Sequence, residues 1–521
     1  MLRRLLSPWV VAALGAAVYL LVAPPSADIA AQEYRAELGL TLWNNGWFAG
    51  HHTPGYSVLF PPLGGLLGVR LTGALAAVAA AALFAPLARA HWSAHPRAGV
   101  AAALWFAAGT TAVLLTGRIT FLLGVAIGLG ALLALQRDRR VVAVLLAAAT
   151  TLASPVSGLF VALAVAAWAL GQAASRPGRD VAWAAAIAGA ALAPVAITLV
   201  LFPQGGNEPF VSSAFLPALA VSLLVAALLP RHETTLRLGA LLYALLLVIA
   251  FSLDTPLGGN ATRLGALAAG PIVLGALIGR RSPLVVGGLA IALAYWPLYP
   301  AIRDVARASG DPSLRASYYA PLLDFLESRT RVGTFRDEIP STENHWEARY
   351  VAGGRDGIAL ARGWERQLDR RYGALFYDER LDAATYRTWL DRHAVAYVAV
   401  PDVALDDAGR EEARLVGAGL PYLREAWRGA HWRVFAVRGR APLAQGPAGA
   451  PASATLSPAG VTVRASSAGP VLVRVRFTRW WRVTGGRGCV SEARGGMTRV
   501  SFSAAGTISL HARLSGDACR R

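Results

Sequence analysis

The chain has 521 residues, 55% of them apolar, and a mean hydropathy of +0.45, which excludes an ordinary soluble enzyme and indicates a membrane protein with several spans. Its formal charge of +19 comes from 50 basic residues, all of them arginine. Such a charge can indicate nucleic-acid binding. However, these arginines lie in short clusters between apolar runs and no nucleic-acid-binding module is recognisable, so we expect no nucleic-acid partner.

Eleven apolar runs predict a polytopic α-helical membrane domain over residues 1–300, although several runs are short for a hydrocarbon layer of about 30 Å. The runs cover about 7–23, 71–88, 98–116, 119–136, 141–153, 156–173, 181–202, 211–230, 237–253, 264–279 and 283–300. The fifth run is the weakest, and Pro155 separates it from the sixth. One long kinked helix over both runs is the alternative.

Arginine counts predict the orientation, because cytoplasmic loops retain positive residues. Alternate loops hold thirteen arginines: Arg3, Arg4, Arg89, Arg97, Arg137, Arg139, Arg140, Arg176, Arg179, Arg231, Arg237, Arg280 and Arg281. The opposite loops hold only Arg35, Arg70, Arg118 and Arg263. We therefore expect a plasma-membrane protein with a cytoplasmic N-terminus. The first loop (24–70) and the whole C-terminal region then lie outside the cell.

The N-terminal run has a second interpretation. Its start, MLRR, and its end, VAPPSA, are also typical of a cleavable signal peptide. Cleavage after Ala27 would leave Asp28 as the new N-terminus. An uncleaved anchor gives the same topology for the rest of the chain.

Two extracytoplasmic domains are predicted after the last span. Residues 301–440 alternate helix-like and strand-like segments, as an α/β domain does: Ala383–His393 and Glu411–Gly419 predict helices, and Ala394–Pro401 and His431–Arg438 predict strands. The Ala-, Pro- and Gly-rich stretch 441–456 predicts a linker. Residues 457–521 alternate apolar and polar side chains, which predicts a small β domain resembling a sandwich.

The two cysteines, Cys489 and Cys519, both fall in this last domain. Because the outer face of the membrane is oxidising, we expect them to form a disulfide. In the chain-entropy model a loop of this length stabilises the domain by roughly 3–4 kcal/mol.

The first outer loop concentrates charge directly after an apolar run. Asp28 stands where the first span ends, and on a helix Glu33 and Glu37 share one face with Arg35 turned away from it. One interpretation is an amphipathic helix on the membrane surface, with Trp43, Trp47 and Phe48 in the headgroup layer. The other is that Asp28 is a catalytic base whose partial desolvation at the membrane boundary raises its basicity.

The layout of the chain resembles the GT-C class of integral-membrane glycosyltransferases. The shared features are one N-terminal span, a long outer loop that begins with an acid, many further spans and an outer C-terminal domain. His51–Gly65 also resembles the turn and short helix that lead into the second span of that class. Asn344–Tyr350 and Leu360–Asp369 resemble segments of other bacterial membrane proteins.

The resemblance implies transfer of a sugar from a polyprenyl-phosphate carrier on the outer face of the membrane. It also implies that an acid early in the first loop is the base, or a ligand of a divalent metal such as Mg²⁺ or Mn²⁺. Asp28 matches that position best, and Glu33 is second.

Residues elsewhere supply candidate binding groups. Arg118 and Arg263 face outward beside spans, where snorkelling to the interface is one interpretation and binding of the donor phosphate is the other. The segment that ends at Asn260 offers backbone amides to the same phosphate. His51 and His52 are candidate substrate-binding residues, and one of them is also a candidate metal ligand.

Two tryptophans of the α/β domain, Trp346 and Trp364, are candidate glycan-binding platforms, since sugars bind on aromatic faces flanked by polar groups. Packing at a domain interface is the alternative.

The resemblance, with these residues in their matching roles, implies an inverting GT-C-type glycosyltransferase that acts on a cell-envelope glycan or lipid acceptor. A non-catalytic envelope-assembly protein on the same fold remains an alternative. A lipid or solute transporter is a further alternative, but such proteins typically carry mid-span charges and repeated halves, and neither feature is recognisable here.

Overall fold

The computed structural model describes residues 7–172, 178–330, 334–353, 358–516 and 519. The chain divides into two compact units, the first holding Met1–Gln32 and Pro54–Ser309 and the second Glu33–Thr53 and Gly310–Arg521. Much of the first outer loop, which the sequence assigns to the membrane domain, thus belongs to the second unit. Arg3, Arg4 and Arg176, used in predicting the orientation, lie outside the described residues, as does the side chain of Arg179.

The first unit is helical, and each of the eleven predicted apolar runs contains a helix. Its helices are α1 (Pro8–Val22), α2 (Ala27–Leu38, which continues into the second unit), α3 (Phe60–Leu67), α4 (Val69–His91), α5 (Pro96–Leu115), α6 (Ile119–Gln136), α7 (Arg140–Ala153), α8 (Pro155–Gln172), α9 (Arg179–Leu201), α10 (Ser212–Leu228), α11 (Thr234–Ser252), α12 (Thr262–Leu277) and α13 (Pro283–Ala308). Alanine and glycine dominate many of the buried positions, as expected where membrane helices pack closely.

Seven helices in the described ranges are long and apolar enough to cross a membrane, or up to eight if the bent pair α1–α2 is one span. Helices α7 and α10 are apolar but shorter. The first unit is thus compatible with a multi-pass membrane protein. Helices α7 and α8 are separate, because Ser154 is extended and Pro155 begins the next helix.

The chain bends sharply before the first acid of the outer loop. Helices α1 and α2 meet at an angle of 84°, and Ala23 between them has a positive φ of 46°. The Arg70 guanidinium stabilises this bend, since it donates a hydrogen bond of 2.9 Å to the Pro24 carbonyl oxygen and lies 5.8 Å from the centre of the Tyr19 ring. Asp28 therefore begins a new helix, where an acid complements the helix dipole.

The second unit contains the predicted α/β domain. Its elements are β1 (Trp43–Asn44), β2 (His51–His52), α14 (Ala316–Thr330), β3 (Phe335–Glu338), α15 (Glu347–Tyr350), β4 (Ile358–Leu360), α16 (Arg366–Tyr372), α17 (Ala383–Arg392), β5 (Val395–Pro401), α18 (Asp407–Gly417), β6 (Leu423–Arg428) and β7 (Trp432–Val437). A five-stranded sheet has the order β4-β3-β5-β7-β6, with β3 parallel to β4 and β5 and with β7 antiparallel to β5 and β6.

The C-terminal strands form the predicted sandwich. They are β8 (Ala444–Gln445), β9 (Ala452–Ser457), β10 (Gly460–Ala465), β11 (Gly469–Arg476), β12 (Trp481–Gly485), β13 (Gly488–Ala493), β14 (Met497–Phe502) and β15 (Gly506–Ala512). Two antiparallel sheets, β12-β15-β10-β9 and β13-β14-β11-β8, share one apolar core. The predicted disulfide Cys489–Cys519 is present.

The predicted linker 441–456 is wrong, because it contributes strands to both sheets. Ala444–Gln445 pairs with β11, and Ala452–Ser457 pairs with β10 along its whole length. Small Ala and Ser residues with little hydrophobic signal nevertheless alternate between buried and exposed positions in β9. The composition of this stretch therefore did not indicate a strand, because the register of β9 is set by its pairing with β10.

The aromatic residues of the first outer loop are buried in protein, so their predicted place in the headgroup layer is wrong. Trp43, Trp47 and Phe48 are at most 1% exposed, and Trp43 packs in the sandwich core. The Asn45 amide donates hydrogen bonds of 2.9 and 2.8 Å to the carbonyl oxygens of Ser457 and Gly460. Residues Glu33–Thr53 of the loop are therefore part of the second unit.

Candidate functional site

Helix α2 is held against the turn between α5 and α6 by one buried glutamine. The Gln32 side-chain amide donates to the Gly117 carbonyl oxygen, and its Oε1 accepts hydrogen bonds of 3.0 Å from both the backbone N–H and the hydroxyl of Thr120. These contacts flank Arg118 in sequence. They therefore fix the helix that carries Asp28 beside the turn that carries Arg118.

Gly117 permits this close approach. Its φ is +72°, and a Cβ there would lie 2.1 Å from the Ser26 hydroxyl oxygen and 2.8 Å from Ile29 Cγ1. Only glycine satisfies both the backbone conformation and the space.

Asp28 and Arg118 form the centre of the candidate site. The Asp28 carboxylate oxygen Oδ2 lies 3.9 Å from the Arg118 Nε, and the two side chains are 37% and 28% exposed. Arg118 is also attracted by the carboxylate of Asp304 and repelled by the guanidinium groups of Arg263 and Arg303. Five charged side chains from four segments thus meet here, with three guanidinium groups against two carboxylates.

Two residues of this site, Arg303 and Asp304, were not predicted from the sequence, because the last apolar run ends at about residue 300. Helix α13 instead continues to Ala308 through Pro297 and Pro300, and Arg303 donates hydrogen bonds of 3.1 and 2.9 Å to the Asp304 carboxylate. Proline is tolerated inside membrane helices because neighbouring groups satisfy the freed backbone. An adjacent Arg and Asp directly after an apolar run was the available signal.

Arg263 contacts a residue that lines one end of an apolar cavity. Its guanidinium carbon is 5.6 Å from the centre of the Phe121 ring, and its Nε is buried without a hydrogen-bond acceptor among the described residues. Phe121, Leu264 and Gly265 line one end of a cavity of about 950 Å³ within the first unit. A cationic group thus lies at one end of an apolar cavity large enough to enclose a lipid chain.

The backbone amides before Arg263 do not form the predicted phosphate nest. The Gly259 and Asn260 N–H groups donate to the carbonyl oxygens of Pro209 and Leu257, at 3.3 and 2.9 Å. Two of the three amides of this glycine-rich turn are therefore already used to close it. Of the phosphate-binding groups predicted in this segment, the side chain of Arg263 remains the candidate.

Glu33, the second predicted base, is an ion-pair partner within the second unit. Arg349 lies 3.7 Å from Glu33 and pairs closely with Glu37, while Arg35 pairs with Glu365. The predicted helical spacing is confirmed, since Glu33 and Glu37 share a partner and Arg35 points elsewhere. Of the two predicted bases, Asp28 is the one beside Arg118.

His51 and His52 are buried, which contradicts a direct role in substrate binding. The His51 ring stacks on Trp47 with centroids 5.8 Å apart, and His52 hydrogen-bonds the Thr478 hydroxyl at 2.8 Å. Desolvation lowers the pKa of His51 to about 3 and that of His52 to about 4, so both are neutral at pH 7. They are packing residues of the second unit.

The two predicted sugar platforms also have other partners. Trp346 is only 4% exposed and packs beside Tyr350, which contradicts its prediction as a platform. Trp364 is half-buried, with the His345 ring stacked on it at 3.4 Å and the Arg366 guanidinium carbon 5.2 Å from its centre. Burial therefore assigns Trp346 to the core of the second unit and leaves Trp364 largely covered.

The second unit contains a buried charge cluster that the sequence did not indicate. Arg362 is 4% exposed and donates hydrogen bonds to Asp369 at 2.9 and 2.6 Å and to Glu412 at 3.2 Å, with Glu338 3.8 Å away. Three carboxyl groups thus surround one guanidinium. Desolvation raises the pKa of Glu412 to about 7 and also raises that of Glu338.

The expected divalent metal does not fit the site well. Within the described ranges no group of three or more His, Cys, Asp or Glu residues is placed to hold a metal ion. Around Asp28 the guanidinium groups outnumber the carboxylates, a donor set that suits an anion better than a cation. We therefore derive no step through a metal.

Comparison with models of known protein families finds no match, and comparison with curated proteins finds none either.

Proposed function

We propose that the protein is an inverting, GT-C-type membrane glycosyltransferase that uses a polyprenyl-phosphate-linked sugar. The observation that carries this proposal is one carboxylate and several guanidinium groups at the end of an apolar cavity. Asp28 lies 3.9 Å from Arg118, and Arg263 stands over Phe121, which lines the cavity. Such a site complements an amphiphile with an anionic head and a long apolar tail.

In this proposal the tail of the donor fills the cavity and its phosphate lies between Arg118 and Arg263. Guanidinium groups suit phosphate oxygens because their planar N–H donors match two oxygens at once. The Nε atoms of both arginines are without hydrogen-bond acceptors in the described part of the protein. A phosphate would supply those acceptors.

Asp28 acts as the general base. It takes the proton of an acceptor hydroxyl while that oxygen attacks the anomeric carbon of the sugar. The bond between the anomeric carbon and the phosphate oxygen breaks, and the electron pair leaves with the polyprenyl phosphate. Arg118 and Arg263 stabilise the charge that develops on this leaving group.

The acceptor is a cell-envelope glycan or lipid on the outer face of the plasma membrane. The proposal includes the eleven-span topology, with a cytoplasmic N-terminus and the second unit outside. The arginine distribution between alternate loops supports this orientation.

Complementation of a strain that lacks the gene tests the proposal. Asp28→Asn should abolish one envelope glycan linkage at normal protein levels, because the amide cannot accept the proton. The matched control is Asp254→Asn, since Asp254 is exposed and bonded to Asn207 rather than to Arg118. Full restoration of the linkage by Asp28→Asn would favour a non-catalytic assembly protein instead.

A further inference from the structure

The cavity extends along one face of a whole helix. The lining residues of α6 recur at each turn along one helix face: Phe121, Gly124, Val125, Gly128, Leu129, Leu132, Leu135 and Gln136. From Phe121 to Gln136 this face is about 22 Å long at the helical rise per residue. The cavity therefore reaches from the Arg263 end through much of a hydrocarbon layer of about 30 Å.

The opposite end of the cavity, here called the Arg140 end, is charged. Arg140 lines the cavity and donates hydrogen bonds to Asp138 at 2.6 Å and to Asp180 at 2.9 Å. His91, a second lining residue, hydrogen-bonds the Glu233 carboxylate at 2.8 Å. The apolar path thus begins at one set of charged groups and ends at another.

We propose that the ion pairs at the Arg140 end limit the chain length of the polyprenyl donor, so that the enzyme selects donors by tail length. This inference rests on the proposed function, in which the phosphate occupies the Arg263 end. The lining face of α6 is about 22 Å long, so a tail that extends along it from the Arg263 end meets the charged groups after that length.

Binding should depend on chain length because the wall of the cavity is apolar whereas its Arg140 end is charged. A chain gains dispersion contacts as it fills the apolar part of the cavity, which a shorter chain leaves empty. A longer chain must press methylenes against the Arg140 ion pairs and the hydrogen-bonded His91 and Glu233, whose remaining polar atoms then lose access to water. An optimum length follows, rather than binding that strengthens with every added isoprene unit.

Two neighbouring residues of α11 provide a matched pair of variants. Ala240 lines the cavity, whereas Leu241 is 48% exposed on the outside of the helix. Ala240→Phe should fill part of the cavity, and Leu241→Phe should add a similar ring where lipid would surround it. Both substitutions introduce the same side chain into the same helix.

The measurement is the dissociation constant of farnesyl, geranylgeranyl, hexaprenyl and undecaprenyl phosphate with the full-length protein in nanodiscs, by native mass spectrometry. For the native protein we expect the tightest binding at one of the three shorter chains and roughly tenfold weaker binding of undecaprenyl phosphate. In Ala240→Phe the optimum should move to a shorter chain. In Leu241→Phe it should not move.

Affinity that strengthens steadily up to undecaprenyl phosphate in the native protein would overturn the length limit, whether or not Ala240→Phe folds. An optimum that Ala240→Phe leaves in place would overturn it as well. Binding that depends on Arg263 but not on chain length would contradict the limit and leave the proposed function standing. Absence of binding by every polyprenyl phosphate would contradict the proposed function itself.

Discussion

The Asp28 carboxylate lies 3.9 Å from the Arg118 guanidinium, although Asp28 belongs to α2 and Arg118 to the turn before α6, ninety positions further along the chain. The pair is partly exposed, with Asp304 and Arg263 also acting on Arg118. The Asp28 carboxylate is therefore accessible from outside the protein, and the positive charge of Arg118 compensates its negative charge.

Replacement of Arg263 by lysine should lower glycan transfer by roughly ten- to a hundredfold, less than the roughly hundred- to thousandfold effect of losing a group that stabilises developing charge altogether. Lysine retains the positive charge but cannot present two parallel N–H donors to one phosphate. The control is Arg281→Lys at an exposed position. Initial rates in membranes that carry the donor measure the effect, and equal rates for the two variants would contradict a phosphate-binding role.

Gln32 is expected to be a positioning residue. Thr120→Val removes one of the two hydrogen bonds to Gln32 Oε1, and Gln32→Leu removes both together with the bond to Gly117. We expect kcat to fall by about tenfold in Gln32→Leu with little change in KM, because a misplaced base weakens the chemical step more than binding. Thr120→Ser retains the hydroxyl and should behave as the native protein does. A rise in KM alone would argue against positioning of Asp28.

The buried Glu412 should make the second unit less stable as the pH rises. In the folded protein the pKa of Glu412 is about 7, above the ordinary value of 4.5. Between pH 4.5 and pH 7 the folded state therefore retains a proton that the unfolded chain has lost. This contribution is fully present below about pH 4.5 and is lost as the pH approaches 7. The loss is about 3 kcal/mol at most, from about 1.4 kcal/mol per pKa unit.

Hydrogen exchange at the amides of β5, corrected for the intrinsic pH dependence of exchange, measures this effect in the full-length protein. In Glu412→Gln the opening free energy should fall less steeply with rising pH, because an amide does not titrate. The amide oxygen can still accept the hydrogen bond from the Tyr386 hydroxyl. Glu411→Gln, at an exposed neighbouring position paired with Arg414, should leave the decline unchanged. A steep decline in Glu412→Gln would assign the effect to another group.

Loss of the disulfide should destabilise the sandwich by roughly 3–4 kcal/mol in the chain-entropy model. Cys489 and Cys519 close a loop with a sequence separation of 30, and the Cys519 N–H also donates to the Val490 carbonyl oxygen at 3.0 Å. The double substitution of both cysteines by serine should lower the opening free energy of β13 and β14. Reduction of the native protein should have the same effect. Unaltered exchange in both cases would show that packing alone fixes this end of the chain.

Several local features followed from the sequence because their causes are local. The apolar runs predicted eleven helices, Pro155 predicted the break between α7 and α8, and period-two alternation predicted the sandwich strands. The spacing of Glu33, Arg35 and Glu37 predicted which of them share a helix face. Each of these patterns repeats within a few residues, so no distant partner was needed to interpret it.

Other features depended on partners far away in the chain. Nothing near Trp43, Trp47, His51 or His52 indicates that they pack inside the second unit, because residues after 340 bury them. The strand Ala452–Ser457 is similarly defined by the neighbour it pairs with rather than by its own composition. Asp304 entered the site only because α13 continues past its two prolines.

The sequence by itself determined that the candidate site contains carboxylates and guanidinium groups, and it determined the helices that carry or adjoin most of them. Both follow from single segments, because residue type and the length of an apolar run need no distant partner. The tertiary structure decided that Asp28, Arg118, Arg263 and Asp304 meet beside one cavity. The physical reason is that Gln32 and Gly117 fix the approach of α2 to the turn before α6 through hydrogen bonds and space between segments far apart in sequence. No pattern within either segment encodes that contact alone.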